Sequence, residues 1–113
     1  MYTLYGITSC STVTKARRFL DEKKCDYQFY DLKKQPLTEA LIGGLEARIG
    51  WKIMLNKRST TWRQLEEAQK LDVDPAKAIA LMIRYPTLIK RPLLDLGEQL
   101  LVGFKIDDYD AAL

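Results

Sequence analysis

Residues 2–31 constrain this chain more than any other stretch. Tyr2-Thr3-Leu4-Tyr5 alternates β-forming side chains and stops at Gly6, and Asp26-Tyr27-Gln28-Phe29-Tyr30-Asp31 is a second, aromatic-rich alternating run. Between them, from Thr14 to Lys24, Ala16, Phe19 and Leu20 recur at helical spacing, with Lys15, Arg17, Arg18, Asp21 and Glu22 opposite. Ser9-Cys10-Ser11-Thr12, just before, offers hydroxyls for a helix N-cap. Strand, helix and strand within about 30 residues form a βαβ unit, whose strands run parallel with a right-handed crossover. A parallel pair needs a helix over its face, so the chain belongs to the α/β class.

The middle of the chain is helical and its last part is β again. Pro36-Leu37-Thr38-Glu39 opens a helix with Leu41, Leu45 and Ile49 along one face, and Gly50 ends it. After an irregular stretch from Trp51 to Ser59, Thr61 is expected to cap a short helix from Trp62 to Lys70. Asp74-Pro75 opens another, with Ala78, Leu81 and Met82 inward, which Tyr85-Pro86 stops. The apolar runs Leu88–Asp95 and Gln99–Phe104, separated by Leu96-Gly97-Glu98, predict a hairpin. A last short helix starts at Asp107-Asp108-Tyr109.

Composition excludes several function classes. The 113 residues suffice for one domain with a real core, without disulfides or a structural metal. No apolar run approaches the ~20 residues of a membrane helix, and the N-terminus lacks a signal-peptide pattern, so a cytoplasmic protein without membrane partners is expected. The net charge of +3 is spread along the chain and does not indicate direct nucleic-acid binding. There is no histidine, which removes Cys-His and Ser-His pairs and the commonest metal ligand; no metal site is expected. A nucleophilic cysteine here must be activated by something other than imidazole.

Cys10 lies between a strand and a helix, where free backbone N–H groups and the helix dipole stabilise a thiolate or an oxyanion. A small buried residue at a turn is the alternative. Lys90-Arg91-Pro92 precedes an apolar strand. Arg91 offers a planar charged fork, and Pro92 suits a strand start, with a cis peptide as one option; a surface arginine beside a strand-initiating proline is the plainer reading. Arg58 sits in the polar run Asn56–Thr61, which is either a solvated loop or an anion clamp. Cys25 is a poor resolving partner, because a helix over 12–24 separates it from Cys10 by roughly 18 Å, against about 7 Å between the Cα atoms of a disulfide. Val13 stands where a Cys-x-x-Cys protein has its second cysteine, so Cys10 is expected to work as a monothiol.

Gly6-Ile7-x-x-Cys10-x-Thr12-x-x-Lys15-Ala16-Arg17, Asn56-x-Arg58-Ser59-Thr60 with Trp62, Lys90-Arg91-Pro92-Leu93 and Val102-Gly103-Phe104 occur in order over nearly the whole chain. Together they resemble the arsenate-reductase-like family, which groups arsenate reductases with the Spx regulators, and are most similar to its short YffB branch. The resemblance implies a thioredoxin-like β-α-β … β-β-α sheet in a single domain, 1–113, with a helical insertion at about 36–86. It implies that Cys10 is the nucleophile, which in arsenate reductases attacks arsenate and is released by glutathione and glutaredoxin. Arg91 matches the arginine before the family's cis-proline, Pro92 that proline, and Arg58 falls near the second arginine of the arsenate site. Ser11, Thr12, Lys15 and Pro92 complete the expected thiol- or anion-binding set. Gly103 stands where that site has its third arginine, which weakens the case for arsenate.

The expectation is therefore a glutathione-dependent thiol reductase, monomeric, with no bound cofactor and with glutathione or glutaredoxin as partner. The alternatives are a Spx-like transcription regulator that binds RNA polymerase, or a relative without catalysis. Against regulation stand Val13 and the chain's end at Leu113, because Spx proteins carry a Cys-x-x-Cys switch and a longer C-terminus.

Overall fold

The computed structural model describes all 113 residues and divides them into two compact units. One comprises Met1–Gln35 with Arg91–Leu113; the other is the intervening stretch, Pro36–Lys90.

The first unit carries a mixed four-stranded sheet. β1 (Tyr2–Gly6) and β2 (Tyr27–Asp31) pair in parallel, Tyr2 opposite Tyr27 and Gly6 opposite Asp31. β3 (Leu93–Asp95) adds to the other side of β1 antiparallel, and β4 (Leu100–Val102) to β3, giving the order β2-β1-β3-β4. The expected α/β architecture is the one observed. The hairpin is shorter than its apolar run, because Leu88 and Ile89 are buried in the second unit, where Ile89 bridges to Leu55.

α1 (Ser11–Glu22) buries Val13, Ala16 and Leu20 against this sheet. It starts three residues before the periodicity does. None of the expected hydroxyls caps it: Cys10 is itself the N-cap, extended at φ −85° and ψ 121°, with its carbonyl accepting from the Thr14 amide at 3.1 Å. The helix approaches β1 so closely that a Cβ on Gly6 would lie 2.8 and 2.9 Å from the two Val13 methyls. Leu4, Ala16, Leu20, Leu94 and Tyr109 form the core, with Phe19, Phe29 and Phe104 against it. Tyr109 arrives from the terminal helix, Ile106–Ala112, numbered α7 because five helices of the other unit precede it.

The second unit holds α2 (Glu39–Ile49), α3 (Trp51–Met54), α4 (Thr60–Gln64), α5 (Glu67–Lys70) and α6 (Pro75–Arg84), then a 3₁₀ turn at Pro86–Leu88. Thr38 and Asp74 cap α2 and α6 by accepting from the Leu41 and Lys77 amides. α2 buries Ile42 and Leu45, whereas Leu41 and Ile49 are only half-buried. The single helix expected over 62–70 is two. Ser59, not Thr61, caps α4, and the chain turns extended at Leu65, which is buried, before Glu66 and Gln69 form a capping box for α5. The Thr61 hydroxyl pairs instead with that of Thr87, at 2.5 Å.

Candidate functional site

β1 ends at Gly6, the chain turns through Ile7–Ser9, and the Cys10 amide donates to the Ile7 carbonyl at 3.1 Å. This turn sets the half-buried Cys10 thiol over the open end of α1, where the first amides of the helix have no carbonyl to bond. Burial alone pushes the thiol up. Hydrogen bonds from the Val13 amide, the Arg91 side chain and the Thr12 amide, together with the Arg91 charge, outweigh it and hold Cys10 below the ordinary thiol range.

Arg91 reaches the sulfur from the segment that enters β3. The Arg91–Pro92 peptide is cis, and Pro92 is buried. The Pro92 carbonyl accepts from the Gly103 amide at 2.8 Å, just beyond β4. Gly103 has φ +77°, the left-handed region that favours glycine, and its own carbonyl accepts from the buried Tyr109 hydroxyl at 3.4 Å. A line of hydrogen bonds thus runs from the last helix to the arginine's segment.

Of the residues singled out in the sequence, Cys10, Thr12, Arg91 and Pro92 are brought together. Ser11 is the exposed first residue of α1, and Lys15 is exposed one turn further on. Lys15 and Thr12 line a cleft whose other wall is Phe104, Lys105, Asp107 and Asp108. Arg58 belongs to the other unit and is exposed in the turn before α4; its amide donates to Asn56 Oδ1 and its carbonyl accepts from Arg63. Sequence reasoning placed free amides at this turn without singling out that of Val13, and it missed the Gly103–Pro92 tie and the 104–108 wall. Only the wall left a signal, the charged run Lys105, Asp107, Asp108 directly after the last strand.

Among the described groups no cluster of Cys, Asp and Glu side chains could hold a metal ion, and no helix is long and apolar enough to cross a membrane. The arrangement offers one nucleophile, a fixed cation and the amides that open α1.

The sequence profile of the ArsC family matches residues 5–112. This chain belongs to the ArsC family. Within it, the solved YffB protein is 50% identical with a TM-score of 0.95, covering 100% of this chain and 99% of that one. An arsenate reductase related protein from Brucella melitensis is 39% identical, TM-score 0.78, over 97% of this chain and 92% of its own. The global transcriptional regulator Spx of Streptococcus pyogenes is 29% identical over 120 residues, covering 100% of this chain and 85% of the regulator. The ArsC family thus joins relatives named for reduction and for regulation, and membership alone does not choose between them.

Proposed function

We propose that this protein is a glutathione-dependent thiol reductase that acts through Cys10 alone. The observation that carries the reading is the thiol held at the helix N-terminus beside Arg91, with its ionisation favoured by two backbone amides and a guanidinium. A thiolate is the attacking form of cysteine, so a site that favours it is suited to exchange.

In the proposed step the Cys10 thiolate attacks one sulfur of a disulfide. A new sulfur–sulfur bond forms at Cys10, the old one breaks, and the departing thiolate takes a proton from water. Cys10 is thereby oxidised and the leaving half of the disulfide reduced. A second thiol, from glutathione or glutaredoxin, attacks the mixed disulfide and returns Cys10 to the thiolate. Arg91 favours the thiolate as both attacking and leaving group. Thr12 acts through its amide, and Ser11 and Lys15, both exposed on the first turns of α1, are the polar side chains offered to the substrate. Pro92 holds the segment that carries Arg91. No bound cofactor is required.

The test is mass spectrometry after incubation with oxidised glutathione: one glutathione adduct on Cys10, and none there in Cys10→Ser. An unmodified Cys10 in the wild-type protein rejects the reading. The regulatory reading draws on the likeness to Spx. Against it, the Cys-x-x-Cys switch would need a cysteine at Val13, whose methyls fill the space beside Gly6.

A further inference from the structure

The cleft beside the thiol has a chemistry of its own. Its volume is about 690 Å³, within the range of small-molecule sites and far larger than an oxyanion needs. Lys15 and Lys105 face it with Asp107 and Asp108, all four exposed, so its lining carries two charges of each sign. Such a lining gives no net attraction to a simple anion, but it matches a ligand that carries an ammonium and a carboxylate together. The Phe104 ring is a fixed apolar wall, packed edge-on against Phe19 and Tyr109 with centroids 5.7 and 4.8 Å away.

Both walls are continuous with the sulfur's cradle. Thr12 lines the cleft, and its amide bonds Cys10. Phe104 follows Gly103, whose amide holds the Pro92 carbonyl. From Cys10 to Lys15 the axial rise of α1 is about 7.5 Å, the length of roughly two residues of extended chain. A peptide thiol whose sulfur meets Cys10 can lay its neighbouring residue in the cleft.

We infer that this cleft binds the free amino-acid end of a peptide thiol, with Asp107 and Asp108 taking its ammonium and Lys15 and Lys105 its carboxylate. The inference rests on the thiol-exchange reading above and adds to it the recognition of the co-substrate by its zwitterionic end. Asp107 and Asp108 are then binding residues.

The test measures the rate at which Cys10 forms a mixed disulfide with three reagents: oxidised glutathione, its N-acetylated form, and uncharged bis(2-hydroxyethyl) disulfide. Each rate is normalised to that of a small free thiol. Acetylation is remote from the sulfur and removes only the ammonium. Exposed ion pairs of this kind predict that it slows the wild-type reaction about three- to tenfold. Asp107→Asn/Asp108→Asn should slow oxidised glutathione by a similar factor and abolish the effect of acetylation. General electrostatics predict the reverse, because removing two negative charges should speed the approach of an anionic disulfide. Equal wild-type rates for the two glutathione forms overturn the inference without any variant, and so does a full acetylation effect that persists in the double variant. If Cys10 reacts with none of the three reagents, the thiol-exchange reading itself fails.

Discussion

Gly6→Ala tests whether the contact between β1 and α1 sets the geometry of the thiol. The added Cβ would sit 2.8 and 2.9 Å from the Val13 methyls and 3.4 Å from a Phe29 ring carbon. Val13 is fully buried, and a β-branched residue in a helix has one strongly preferred χ1, so the methyls cannot swing aside. The helix must move instead. Overpacking of this kind costs about 1–3 kcal/mol, and the smaller conformational entropy of an unfolded alanine returns about 0.4–1 of it. A net loss of about 1–2 kcal/mol lowers the melting temperature by roughly 5–15 °C. Val13→Ala alone should cost about 1–3 kcal/mol through the buried methyls it deletes. In the double variant the methyl introduced by Gly6→Ala occupies part of the vacated space, so the two losses should fall short of additivity by about 1 kcal/mol. The assay is urea unfolding followed by far-ultraviolet circular dichroism. Tryptophan fluorescence would report the wrong unit, because Trp51 and Trp62 both lie within Pro36–Lys90. Since the Val13 amide bonds the Cys10 sulfur, Gly6→Ala should also slow alkylation of Cys10 at neutral pH. Strict additivity, with a coupling below about 0.5 kcal/mol, would refute the proposed packing conflict.

Cys10 alkylation should follow an ionisation below that of an ordinary thiol; Arg91→Ala should move the profile upward, and Arg91→Lys restore it only in part, because an ammonium lacks the fork. The lowered folded value also has a sign in stability: the contribution of Cys10 is fully present above about pH 8.5, the unfolded thiol value, and is lost as pH falls through the folded one. Wild type should therefore gain stability over Cys10→Ser as pH rises through that window, and a flat difference in urea midpoints would contradict it. Peptide mapping after mild oxidation should find no Cys10–Cys25 disulfide, since all of α1 separates them; such a link in folded protein would contradict the helix. Tyr109→Phe removes a donor that burial keeps protonated, and should cost about 0.5–1 kcal/mol while shifting the Cys10 profile toward an ordinary thiol; an unmoved profile with lowered stability would make Tyr109 structural only. Arsenate turnover should be weak or absent even with glutathione and glutaredoxin, and robust turnover of purified protein would show that the missing charge at Gly103 does not matter.

The βαβ start was legible from its periodicity although the expected hydroxyl cap failed, and the Asp74-Pro75 helix because periodicity and capping signals agreed there. Where they misled, two residues offered the same chemistry. Ser59 and Thr61 are both caps by type; the Ser59 hydroxyl accepts from the Trp62 amide, which puts Thr61 inside the helix with its hydroxyl paired to that of Thr87. Ile42 hid behind Leu41 because both are apolar and the rotation of α2 is set by packing. At the site, Cys10, Thr12, Arg91 and Pro92 could be named from sequence. Free amides at the start of this helix could be expected too, but not which of them bond the sulfur, since a backbone N–H belongs to every residue and only the turn decides which ones face it. The Tyr109–Gly103–Pro92 line was equally hidden, because its hydrogen bonds join segments that no local pattern relates.

The left-handed turn at Gly103 bears on how such a site can change over time. A Cβ there would meet nothing within 4 Å, so there is room for a longer side chain. The obstacle is conformational: any other residue at φ +77° costs roughly 1–2 kcal/mol, and the hydrogen bonds on both sides of Gly103 oppose relaxation of the turn. An arginine at the position where the arsenate-reductase resemblance puts a third cation is therefore not one neutral substitution away. A lineage would first have to rebuild the turn, at the expense of the tie that steadies Arg91, before the new charge could be selected. Until then the mutational neighbourhood of this chain favours other ways of recognising a thiol partner over recovery of an oxyanion site.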